Sequence, residues 1–87
     1  MKYPAEIATL VIRVKRTGSD NFAVCGKHKA SSTNSVEWAV RACALKSAES
    51  LVEKGIIAPI KESQMEFVDG GTFWHVHLGQ ILERRAA

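Results

Sequence analysis

The chain has 87 residues, of which 46% are hydrophobic and 24% charged. That is one domain (1-87) of ordinary globular composition, too short for a second core and too apolar for a disordered chain. Lys and Arg total 12 against 9 Asp and Glu, which leaves a net charge of +3 and a pI of about 9.1, a balance open to nucleic acid or to an acidic protein partner.

No apolar run approaches ~20 residues, so no membrane-spanning helix is expected. Residues 1–6, Met1-Lys2-Tyr3-Pro4-Ala5-Glu6, contain no apolar h-region and do not read as a secretory leader. The expected location is the reducing cytoplasm. Cys25 and Cys43 then read as two small buried hydrophobes, with a disulfide as the lesser alternative.

Residues 7–15 are rich in β-branched side chains and predict a strand. Leu10, Ile12 and Val14 fall on one face, and Val11, Arg13 and Lys15 on the other. A turn cluster over 17–21 and a returning strand over 22–28 complete a hairpin. The polar run 29–35 leads into a helix predicted over 35–54. Asn34 and Glu37 have the spacing of a capping box, with Ser35 as the rival cap, and Gly55 supplies the stop.

At 100° per residue Val36, Val40, Cys43, Ala44 and Leu51 gather on the face expected to meet the sheet. Trp38, Ala42, Leu45 and Val52 form a second apolar stripe nearly opposite, beside Arg41 and Glu49. Residues 56–60 contain Pro59 and read as a connection or an edge segment. A second hairpin is predicted over 64–68 and 72–78, turning at Asp69-Gly70-Gly71. Trp74, Val76 and Leu78 should meet the helix, leaving Phe73, His75 and His77 on the far face. Residues 80–87 read as a short helix or a frayed tail.

The order β-β-α-β-β predicts an α+β two-layer sandwich, a mostly antiparallel four-stranded sheet with one long helix on one face. Basic residues cluster at the ends of elements, in Arg13-Val14-Lys15-Arg16, Lys27-His28-Lys29 and Arg84-Arg85. His75 and His77 share a strand face and have metal-ligand spacing, with His28 or Cys25 as a third ligand. On a half-exposed strand such a pair is ordinary surface, and no cofactor or metal is expected. The sequence has no glycine-rich phosphate loop, no G-x-S-x-G and no H-E-x-x-H, so an enzyme is not expected either.

Two surfaces remain as candidates. Arg13, Lys15 and Lys27 lie with Phe73, His75 and His77 on the open sheet face, where cations beside aromatic platforms suit nucleic acid. Trp38, Arg41, Ala42 and Leu45 form an outward helix stripe, unless Ile81 and Leu82 fold over it. Trp and Arg are enriched where interfaces concentrate their energy. This stripe is the expected protein-binding surface, with Lys27 and Lys29 steering the approach.

Residues 27–42, KHKASSTNSVEWAVRA, resemble a pattern in small proteins of phages and mobile elements. A basic strand end, a Ser/Thr-rich cap and an Ala-rich helix follow one another there. In length and element order the chain is similar to the small α+β anti-CRISPR proteins. Many of those are strongly acidic where this chain is basic. The resemblance therefore implies occlusion of a protein or guide-RNA surface rather than DNA mimicry, and it transfers no individual functional residue. A double-stranded RNA-binding domain has a similar strand-to-helix passage, but its Lys-Lys-x-Ala-Lys helix start is absent here.

The expectation is a non-enzymatic, phage- or mobile-element-encoded binding protein that inhibits a host nucleic-acid-processing complex by steric occlusion. The alternative is a small basic nucleic-acid-binding module using Arg13, Lys15, Phe73, His75 and His77. A homodimer with no ligand is the third reading.

Overall fold

The computed structural model describes residues 7–82. Residues 1–6, where no leader was expected, and the Arg84-Arg85 pair lie outside them. The elements run β1 (Ile7–Thr17), β2 (Asp20–Cys25), β3 (His28–Ser32), α1 (Val36–Glu53), a 3-10 turn (Glu62–Gln64), β4 (Glu66–Gly70) and β5 (Phe73–Gln80). The five strands form one antiparallel sheet in the order β3-β2-β1-β5-β4. The α+β architecture with one helix on one sheet face is as expected, but the sheet has five strands and the order is β-β-β-α-β-β.

The additional strand comes from the segment read as a strand end and a polar loop. Gly26 has φ 59° and Lys27 is not in the left-handed region, so the chain reverses within two residues in the manner of a type II′ turn. Cys25 then pairs with His28, and Asn21 with Ser32. Asn21 Nδ2 also donates to the Ser32 carbonyl at 3.1 Å. β3 lies at the sheet edge and its only apolar residue is Ala30, so it has no hydrophobic alternation to announce it.

Ser35 is the helix cap: its Oγ accepts from the Trp38 amide at 3.2 Å. The Asn34–Glu37 capping box does not form, and Glu37 turns toward Arg41 instead. Ser35→Ala should cost about 1 kcal/mol, read as a lowered melting temperature. The helix closes at Lys54 and Gly55 as expected, with the Lys54 amide on the Ser50 carbonyl at 3.1 Å.

Over its 18 residues, ~27 Å, α1 lies chiefly over β2 and β3 and less over β1 and β5. Ala23 on the sheet and Ala39 and Ala44 on the helix are buried, and these small side chains let the layers approach closely. Val40, Cys43 and Ala44 are buried, with Val36 and Leu51 packed at the margin, so the expected sheet-facing residues do face the sheet. Ile12, Val76 and Leu78 meet them from below. The helix does not cover the whole sheet. Ile57, Ile60 and Met65, from the segment between α1 and β4, complete the core. Ile60 reaches within 3.9 Å of the position a Cβ would take at Gly79 on β5.

Gly70 is the last β4 residue before the turn and pairs with Phe73. A Cβ there would collide with the Phe73 carbonyl oxygen. Backbone cannot move aside as a flexible side chain can, so Gly70→Ala should destabilise by about 2 kcal/mol, seen as a lower urea midpoint.

Candidate functional site

Two surfaces carry the candidate residues, and they lie on opposite sides of the sheet. The alternation of β1 sends Ala8, Leu10, Ile12 and Val14 toward the helix and Thr9, Val11, Arg13 and Lys15 outward. No element packs on that outer face among the described residues. Val11 is 51% exposed, Phe73 47% and Val68 44%, so the β1–β5–β4 half of this face exposes apolar side chains.

The register arranges this face in rows. One row runs Gly70, Phe73, Arg13, Val24, Lys29 across all five strands. The next places Phe22 between Lys15 and Ser31. A third places His75 between Val11 and Val68. Arg13, Lys15 and Lys29 are exposed, and among the described residues none of them is ion-paired.

The carboxylates of this face sit at its corners. Glu66 Oε1 is 4.0 Å from His77 Nε2. Asp20 accepts from Thr33 Oγ1 at 3.3 Å. His77 Nδ1 lies 3.0 Å from Thr9 Oγ1. The sheet-face residues Arg13, Lys15, Phe73, His75 and His77 are therefore brought together as expected, and Phe22, Val24, Val68 and Lys29 join them.

The helix stripe is assembled only in part. Trp38 is 68% exposed and Leu45 39%, with Ala42 exposed beside them. Ile81 and Leu82 do not reach them. Ile81 bridges to Ile57, and the Leu82 amide donates to the Ile56 carbonyl at 2.8 Å.

Arg41 belongs elsewhere. Its guanidinium lies 3.4 Å from Glu62 and 3.8 Å from Glu37, and sits over the Phe67 ring at 5.7 Å. Two carboxylates hold that charge, so it has little left to offer a partner. Lys29 is on the opposite side of the sheet and Lys27 is in the β2–β3 turn, so neither sits beside Trp38 to steer a partner toward it.

His28 lies three strands from His75, ~14 Å, and cannot complete a site with it. Among the described residues no group of three His, Cys, Asp or Glu side chains converges. Cys25 and Cys43 are unbridged thiols, Cys43 buried and Cys25 half-buried. Burial, reinforced by Cys25, pushes the Cys43 thiol up and keeps it protonated. Its Sγ lies 3.5 Å from the His28 carbonyl oxygen. The concavities are open clefts. One of about 500 Å³ brings Arg16 and Asp69 to the edge of Trp74, and one of about 450 Å³ lies between Arg41 and Phe67.

Phe22 and Val24 were not expected at the site. The signal was present in the sequence: small Ala23 alternates with them, and a helix settling close over β2 selects the small side chain for the inner face. Comparison of the chain with protein-family models, with curated proteins and with solved structures finds no match.

Proposed function

We propose that this chain is a non-catalytic binding protein that takes nucleic acid on the open face of its sheet. One observation carries the proposal: Arg13, Lys15 and Lys29, none of them ion-paired among the described residues, each stand directly across from Phe73, Phe22 or Val24 on one uncovered surface. Cations meet phosphates and the apolar platforms meet bases. Such binding needs no cofactor.

The test is a salt series with labelled RNA and DNA oligonucleotides, followed by anisotropy. Neutralising three phosphates gives a log–log slope of about −2, or roughly a twenty-fold loss between about 50 and 200 mM salt. No binding to single- or double-stranded RNA or DNA at the lower salt refutes the proposal.

A second reading rests on Trp38 and Leu45. Their ridge is apolar and, of the cations beside it, Arg41 is held by Glu37 and Glu62 while Lys46 donates to the Lys29 carbonyl at 3.1 Å, which suits a protein surface rather than a phosphate backbone. Occlusion of a host nucleic-acid-handling complex, in the manner of an anti-CRISPR, would use this ridge. In that case Trp38→Ala abolishes partner binding while the melting temperature stays within about 2 °C of the parent.

A further inference from the structure

We infer that the ligand of the sheet face is a single strand, with one base stacked on Phe73, another on Phe22, and phosphates on Arg13 and Lys15. The inference rests on the nucleic-acid reading above and adds the strandedness of the ligand. Its basis is a pattern that occurs twice. Phe73 has Arg13 across from it on β1 and Gly70 across from it on β4. Phe22 has Lys15 across from it on β1 and Ser31 across from it on β3. Each ring is thus flanked by a cation on one side and by a minimal side chain on the other. Phe73 is 47% exposed and Phe22 half-buried, so Phe73 is the more open platform of the two, and each has a cation one strand away for the phosphate of the nucleotide that uses it.

The dimensions of this face favour a single strand over a duplex. The outermost strands of a five-stranded sheet are ~19 Å apart, wider than the roughly 12 Å major groove, so this surface cannot enter it flat. Phe73 and Phe22 lie two strands and two residues apart, ~12 Å, against about 3.4 Å between stacked neighbours in a helix. Only a strand with splayed bases reaches both rings. Finally, ring faces give nothing to bases already stacked in a duplex, whereas an unstacked base gains a partner on each ring.

The test compares one sequence as single strand and as duplex, with the parent chain, Phe73→Leu and Phe22→Leu. Leucine keeps apolar bulk and removes the stacking platform. A thermal melt identifies folded variants, and either one folding is enough. The expected result is at least ten-fold tighter binding of the single strand, a further loss of about ten-fold in each leucine variant, and unchanged duplex affinity. Equal affinity for both forms, or leucine variants that bind like the parent, overturns the inference. If the salt slope persists in that case, the nucleic-acid reading survives on charge alone. If neither form binds at low salt, that reading falls and this inference falls with it.

Discussion

Trp74→Ala should lower the folding free energy by about 4 kcal/mol, and Trp38→Ala by less than about 0.5 kcal/mol, in parallel urea titrations. The two indoles have opposite environments. Trp74 is 8% exposed on the inner face of β5, paired with Ile12 on one side and Asp69 on the other. Removing its side chain leaves a void beside Ile12 and Val76, and the β4–β5 hairpin, which α1 barely covers, has little material to collapse into it. Domains of this size rarely exceed a stability of about 5–15 kcal/mol, so the variant stands close to unfolding. Trp38, 68% exposed on the outer side of α1, has almost nothing to lose. A cost above about 1 kcal/mol at Trp38 would mean that the ridge is covered in solution, and it would remove the second reading. A cost below about 2 kcal/mol at Trp74 would contradict its place in the core.

Much of this arrangement is legible in the sequence because alternation survives wherever one face of a strand is buried. Ile12 against Arg13, and Trp74 against Phe73, announce their faces without further information. The extent of the helix is equally plain up to the glycine that follows it, but the cap is Ser35 rather than Asn34, whose spacing to Glu37 favours a capping box that does not form. What escapes notice is β3, where Ala30 and Ser32 are small because they face a close helix, and the remaining inner residue, His28, is polar. Hydrophobic periodicity is silent when close approach takes the place of bulk. The cost of missing β3 falls on function: without it, Lys29 reads as a neighbour of the helix stripe rather than as the end of the Phe73–Arg13–Val24 row. Arg41 escaped for another reason. Its partner Glu62 lies beyond the helix in a 3-10 turn, and no local spacing rule joins them.

The largest effect on binding is expected from Arg13→Glu combined with Lys15→Glu, which should weaken nucleic-acid affinity on the order of 100-fold or more and flatten the salt dependence. Both side chains are exposed and unpaired among the described residues, so the substitution breaks no ion pair and buries no charge. Two phosphate contacts disappear, and two repulsive charges stand in the path that Phe73 and Phe22 define. The melting temperature should move by no more than about 4 °C. Arg41→Ala is the control on the other side of the sheet, with a smaller change of net charge. It removes one positive charge from the chain but from the far side of the sheet, where Glu37 and Glu62 already balance it, so it should leave affinity unchanged. It should instead lower stability, because Arg41 covers Phe67. A simple dependence on net charge would weaken binding in both variants; a sited interaction weakens it only where the sheet is open. If the Arg13/Lys15 reversal binds like the parent chain while Trp38→Ala does not, the ligand belongs on the helix ridge and the sheet reading fails.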